Sequence, residues 1–175
     1  MMKLNPVQND NEIGTASSIK THDTFLQNAI ETQNELHQLY GLIYLHKDYF
    51  KQTDFVTASK YLLEAEKLAK KSEKPGWIGI VNGYRAALTS VTEDNPDLTI
   101  KEFRQAIANC TKAKDSLCIG ESYEQISNEY NHLGDYKKAH HYFKLGLPLL
   151  KKFGTDKNLA AAYNNYSTVL TNELK

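Results

Sequence analysis

Over residues 117–154 the apolar positions fall into two stripes of helical spacing. Ile119, Tyr123, Ile126, Tyr130 and Leu133 follow one another at steps of four, three, four and three, which keeps them on one side of an α-helix. Tyr136, Ala139, Phe143, Gly146 and Leu150 form a second stripe of the same kind. Between the stripes, Gly134 is suited to a left-handed helix cap and Asp135 to capping the next helix at its N-terminus. The stretch predicts a tight antiparallel helical hairpin.

A lone hairpin of this size exposes an apolar face that it cannot bury, so recurrence of the pattern matters. A large apolar residue followed three positions later by a small one appears as Leu62/Ala65, Phe103/Ala106 and Phe143/Gly146, at intervals of 41 and then 40 residues. First-helix stripes precede each pair. A fourth first-helix stripe, Leu159, Tyr163, Tyr166 and Leu170, begins 40 residues after its counterpart. A period of this length predicts a solenoid of helical hairpins.

Taken in order, residues 1–20 are polar, lack a helical stripe and read as a flexible segment. Thr21 or Asp23 is a candidate helix cap. The spacing of Phe25, Ile30, Leu36, Leu39, Leu42, Leu45 and Tyr49 predicts one long helix or two with a break, the upstream half shielding the end of the stack. Thr53 and Asp54 turn the chain, and Phe55, Ala58, Leu62, Ala65 and Leu68 form the partner stripe. Pro75 and Gly76 end that helix. In the next helix, over 77–91, two registers compete: Ile80, Tyr84, Ala87 and Val91, or one that buries Gly83 and Ala86. A helix over 98–113 follows, Asp115 and Ser116 cap the next, and Pro148 is expected to kink or shorten the helix that contains it. Repeat units near 33–74, 75–114, 115–154 and 155–175 make a repeat domain over 21–175, about three and a half units long.

Tyr123, Ile126, Tyr130, Gly134, Tyr136, Ala139 and Phe143, with the small Gly146, resemble the tetratricopeptide repeat, and the stretch from Asp156 resembles the first helix of a further repeat. The resemblance implies an all-α, right-handed α-α superhelix of antiparallel hairpins. The period exceeds the family's usual ~34 residues, which points to the longer-helix variants common in bacterial signalling and regulatory proteins.

Composition narrows the classes further. The 175 residues are 41% hydrophobic with zero formal net charge, 21 basic against 21 acidic side chains, and no apolar run approaches the ~18 residues of a spanning helix. Lys67, Lys70, Lys71 and Lys74 cluster at a helix end, where cations favour the dipole, so neither membrane nor direct nucleic-acid binding is expected. The N-terminus lacks the apolar core of a signal peptide, and a cytoplasmic protein is expected. Cys110 and Cys118 are too few for a disulfide framework; a bridge between them is sterically conceivable, but two reduced, part-buried thiols are expected.

Catalytic chemistry finds no footing. His140 and His141 are adjacent and diverge by about 100° on a helix, and no other His or Cys spacing suits a metal. Gly76, Gly79 and Gly83 lack the strand and the Lys-Ser/Thr of a phosphate loop and read as helix-packing positions. No enzyme, cofactor or metal is expected.

The resemblance implies that the uncommitted face of each first helix lines a concave groove. Its candidate contacts are Ile43, Lys47 and Phe50, then Tyr84 or Arg85 depending on register, Glu124, Asn128 and Asn131, and Asn164 and Thr168. Asparagine is a poor helix former, so Asn128, Asn131, Asn164 and Asn165 invite two readings. Their amides could pair with the backbone of an extended peptide, or they are tolerated on a wet surface. The basic clamp by which some family members hold chaperone C-termini is not matched, since Ile43 and Glu124 stand at its places. The expectation is a non-catalytic protein- or peptide-binding module in bacterial signalling. The alternative is a sensor or dimerisation scaffold region of a larger signalling protein, oligomerising through the open C-terminal repeat.

Overall fold

A computed structural model describes residues 13–174, and every regular element among them is an α-helix: α1 (Ala16–Glu31), α2 (Glu35–Lys51), α3 (Phe55–Ser72), α4 (Pro75–Thr92), α5 (Pro96–Ala113), α6 (Ser116–His132), α7 (Tyr136–Phe153) and α8 (Asp156–Glu173). Helices α1 to α3, and separately α4 to α8, pack pairwise in sequence order as a helical repeat does. The chain divides into two compact units, Met1–Lys71 and Ser72–Lys175.

Four of the turns share one construction. Gln33, Thr53, Lys114 and Gly134 take φ of 53°, 61°, 57° and 71°, and the residue after each is Asn34, Asp54, Asp115 or Asp135. The left-handed residue donates its N–H three residues back, and the Asx residue donates its own five back, as in Asn34 to Ala29 and Asp135 to Tyr130. That pair of bonds is the Schellman closure of a helix C-terminus. The same Asx side chain then accepts the N–H three residues onward, opening the next helix. One residue thus closes one helix and caps the next.

In the first unit, helix begins at Ala16 behind the N-cap Thr15, inside the stretch read as flexible and ahead of the caps expected at Thr21 or Asp23. Residues 1–12 of that stretch lie outside the described residues. The reason is buried polarity that stripe counting does not register. Fully buried Asp48 accepts the Gly14 N–H at 2.8 Å and the Ser18 hydroxyl at 2.8 Å, and pairs with His22 Nδ1 at 2.6 Å. Leu26, Leu39, Leu45 and Leu62 fill the core. A Cβ on Gly41 would stand 2.9 Å from that of Leu26, so α1 and α2 nearly touch there. His46 Nδ1 meets the Ala58 carbonyl at 3.1 Å, and Tyr49 stacks on Tyr61 across α2 and α3.

In the second unit, α4/α5 and α6/α7 form hairpins, and α6 also packs against α5, α4 and α8. One core joins Ala86, Ile100, Phe103, Ile126, Tyr130 and Val169; a second joins Phe143, Leu150 and Ala162, with Tyr166 stacked on Phe143 at 3.7 Å. The register of α4 follows neither expectation in full: Ala86 is buried, but Gly83 is only half-buried with nothing within 4 Å of where its Cβ would stand, and Val91 is exposed. Gly79 decides the register, because a Cβ there would fall within 2.9 Å of the Cys110 backbone nitrogen on α5. Helix α7 runs through Pro148 to Phe153 and is not shortened. Pro148 and Lys144, the residue whose carbonyl it leaves without a helical donor, are both exposed, so water can satisfy that group.

Cys110 and Cys118 form a disulfide, correcting the expectation of two free thiols. The turn at Lys114 folds the end of α5 back on the start of α6, so positions four residues either side face each other with Cα atoms 6.1 Å apart. That separation suits a bridge.

Candidate functional site

Helices α4, α6 and α8 of the second unit form one layer, with α6 touching both others. Their shared seam is polar. The Ser90 hydroxyl donates to Glu129 Oε1 at 2.6 Å between α4 and α6. Between α6 and α8, Asn165 Nδ2 donates to Glu124 Oε1 at 2.6 Å, Asn158 Nδ2 to Glu121 Oε1 at 2.6 Å, and Asn131 Nδ2 to Thr168 Oγ1 at 3.2 Å. Asn172 Nδ2 in turn donates to Asn131 Oδ1 at 3.2 Å. Each rung joins residues 37 to 41 positions apart, so the repeat length itself brings donor and acceptor together. Buried polar groups need such partners.

Glu124 is the most deeply committed of these groups. It is 7% exposed and receives Gln125 Nε2 at 2.6 Å as well as Asn165. Burial pushes its carboxyl pKa above the ordinary glutamate value, and the hydrogen bonds from Asn165 and Gln125 offset part of that rise. Glu124, Ser127 and Asn128 of α6 and Ala162, Asn165, Tyr166 and Val169 of α8 line a crevice floored by Phe143. It is closed rather than a ready cavity.

The residues expected to line a groove divide accordingly. Ile43 is 3% exposed in the core of the first unit, out of reach of a ligand, because it sits on the packing stripe with Leu39 and not beside it. Lys47 and Phe50 are half-buried in that same unit, Phe50 lying edge-on to Phe55 at 5.5 Å. Tyr84 and Arg85 are half-buried on α4. Glu124 and Asn131 are buried and spent on the seam. Thr168 is exposed but donates to the Asn165 carbonyl at 2.6 Å while accepting from Asn131. Asn128, half-buried at the crevice, and Asn164, exposed on α8, have side-chain amides that make no hydrogen bond among the described residues. Asn165 and Asn131 are therefore explained by helix-to-helix bonding, whereas Asn128 and Asn164 are not.

Ser90, Glu129, Asn158 and Asn172 belong to the seam and were not singled out by sequence reasoning. The signal that finds them is complementary polar residues one repeat apart, read together with the apolar stripes.

Elsewhere in this unit the Arg104 guanidinium donates to the hydroxyls of Tyr130 at 3.3 Å and Tyr142 at 3.1 Å, whose rings stack. His140 is held between the Tyr166 hydroxyl at 2.7 Å and Glu173 at 2.9 Å, tying α7 to α8. Among the described residues no group of three or more His, Cys, Asp or Glu is disposed to hold a metal ion, and no helix is long and apolar enough to cross a membrane. Comparison with models of protein families gives no match to this chain, and comparison with curated proteins gives no significant one.

Proposed function

We propose that the α4/α6/α8 layer is a recognition face for an extended peptide or protein segment, in the manner of the tetratricopeptide modules that the sequence resembles. The observation that carries this reading is the contrast between the committed and uncommitted amides. The seam fixes the three helices before any ligand arrives, while Asn128 and Asn164 offer amide donors and acceptors that no other described residue takes up. A preformed face with spare amides suits backbone pairing with little ordering cost. The expected role is binding without catalysis, within a signalling or regulatory protein.

The test is selection of peptides from a displayed random library on the chain, followed by titration of the selected sequences. Saturable binding that weakens at least tenfold in Asn128→Ala/Asn164→Ala, at unchanged melting temperature, supports the reading. Absence of selected binders, or equal binding by the variant, refutes it.

A second reading has its own observation. Tyr163 and Leu170 on α8 are 47% and 45% exposed, and they stand 40 residues after Tyr123 and Tyr130, which pack on Tyr142 of α7. An α8 face built to receive a helix favours a scaffold or self-association role. Light scattering at several concentrations, with Tyr163→Glu/Leu170→Glu as the comparison, separates this from groove binding.

A further inference from the structure

We propose that the Cys110–Cys118 bridge is a thiol–disulfide switch that sets how closely α4 seats against α5. The bridge joins the end of α5 to the start of α6, with Cys110 fully buried and Cys118 nearly so. Its far side is closed by α4. A Cβ on Gly79 would overlap Cys110 Sγ and would come within 3.3 Å of the Ala106 carbonyl oxygen. The α4 backbone thus rests directly on the bridge, with no side chain between them to yield.

Two thiols need more room than a bridge, because unbonded sulfurs and their protons retreat to van der Waals contact. On the α4 side that room does not exist while Gly79 stays in place. Reduction therefore lifts the first turns of α4 or tilts the helix. The same helix carries Tyr84 and Arg85 and donates Ser90 to Glu129, so the change reaches the α4/α6 seam.

The chemistry requires a dithiol reductant. One of its thiolates attacks Sγ of Cys118, the less buried of the two residues, and the sulfur of Cys110 departs with the bonding electron pair and takes up a proton. The second thiol of the reductant then displaces the Cys118 thiolate, which is protonated in turn, and the reductant closes its own disulfide. The two electrons come from the reductant, and both sulfurs of the protein end as thiols.

The sequence contains one tryptophan. Trp77 lies in the first turn of α4, two residues before Gly79, with the Lys74 ammonium 4.0 Å from its ring centre. Its fluorescence therefore reports on the segment predicted to move. The experiment measures Trp77 emission and amide hydrogen exchange of α4 in the full chain, before and after dithiothreitol, with thiols counted in each state. A shift in emission and at least tenfold faster exchange over residues 77–82 on reduction, reversed by reoxidation, supports the switch. In Cys110→Ser/Cys118→Ser the emission should already be shifted and should not respond to dithiothreitol. Unchanged emission and exchange in protein shown to carry two new thiols overturns the proposal and leaves the bridge a passive staple. Two free thiols in the air-oxidised protein overturn it as well. The measurements on the unaltered chain decide the matter if the double variant does not fold.

Discussion

Replacing Gly83 and Gly146 by alanine, one at a time, should change stability in opposite directions. Both glycines lie inside helices, where alanine is favoured over glycine by roughly 0.8–1 kcal/mol. At Gly83 a new Cβ meets nothing within 4 Å, so Gly83→Ala should keep the whole benefit. At Gly146 the Cβ would stand 2.8 Å from the Gly120 carbonyl oxygen and 3.2 Å from the Tyr123 Cβ. The first neighbour is backbone and cannot rotate away, so α6 and α7 must separate by several tenths of an ångström. Overpacking of this kind costs about 1–3 kcal/mol, and a backbone contact of 2.8 Å puts Gly146 above the low end of that range, where the cost exceeds the propensity gain. Gly146→Ala should therefore lose up to about 2 kcal/mol while Gly83→Ala gains about 0.8–1 kcal/mol. Urea unfolding followed by far-ultraviolet circular dichroism measures both, the midpoints moving apart at constant slope. A stabilised Gly146→Ala protein would mean that α6 and α7 do not approach as described, and the packing argument would fail.

Other outcomes follow from the same geometry. Phe143→Ala removes the ring stacked on Tyr166 in the smaller core and should cost about 3–5 kcal/mol; hydrogen exchange should show α8 loosening first. Glu124 has a folded-state pKa raised by burial, so the folded state binds more protons than the unfolded one between the ordinary glutamate pKa and the raised value. Its contribution is full below that window and is lost as pH rises through it; Glu124→Gln should flatten the stability profile there, which chemical denaturation at a series of pH values would reveal. Cys110→Ser/Cys118→Ser opens a short loop with a sequence separation of 8, and chain entropy places the loss near 2.5 kcal/mol by thermal or urea unfolding.

The hairpin of residues 117–154 was legible because its signals were redundant: two apolar stripes, a glycine at the left-handed position and an aspartate after it. Of the equivalent turns, those at Thr53 and Lys114 were placed through Asp54 and Asp115, whereas the one at Gln33 was read only as a possible break, since non-glycine residues adopt the same conformation at all three. Their Asx neighbours, Asn34, Asp54 and Asp115, carry the signal instead. The start of α1 was missed because Asp48 organises it from 34 residues away through the Gly14 N–H, and local periodicity cannot see such a contact. The candidate face was legible in its location and only partly in its chemistry. Glu124 and Asn131 occupy polar positions beside a core stripe, as a ligand contact would, yet they are consumed by Asn165 and Thr168 of the next repeat. Spacing places a side chain on a helix face but does not say whether the neighbouring helix reaches it.

The shared turn has a consequence for where this chain can be interrupted. Where the residue that completes one helix also starts the next, any added residue separates those two duties and sacrifices several hydrogen bonds at once. The α4/α5 connection is built differently: Glu93 is extended, Asn95 caps α5 alone, and residues 93–95 are all exposed. That junction is the natural place in the second unit to insert an epitope or a fluorophore. An insertion at residue 94 should leave the melting temperature within a few degrees of the parent, whereas the same insert after Gly134 should unseat the hairpin.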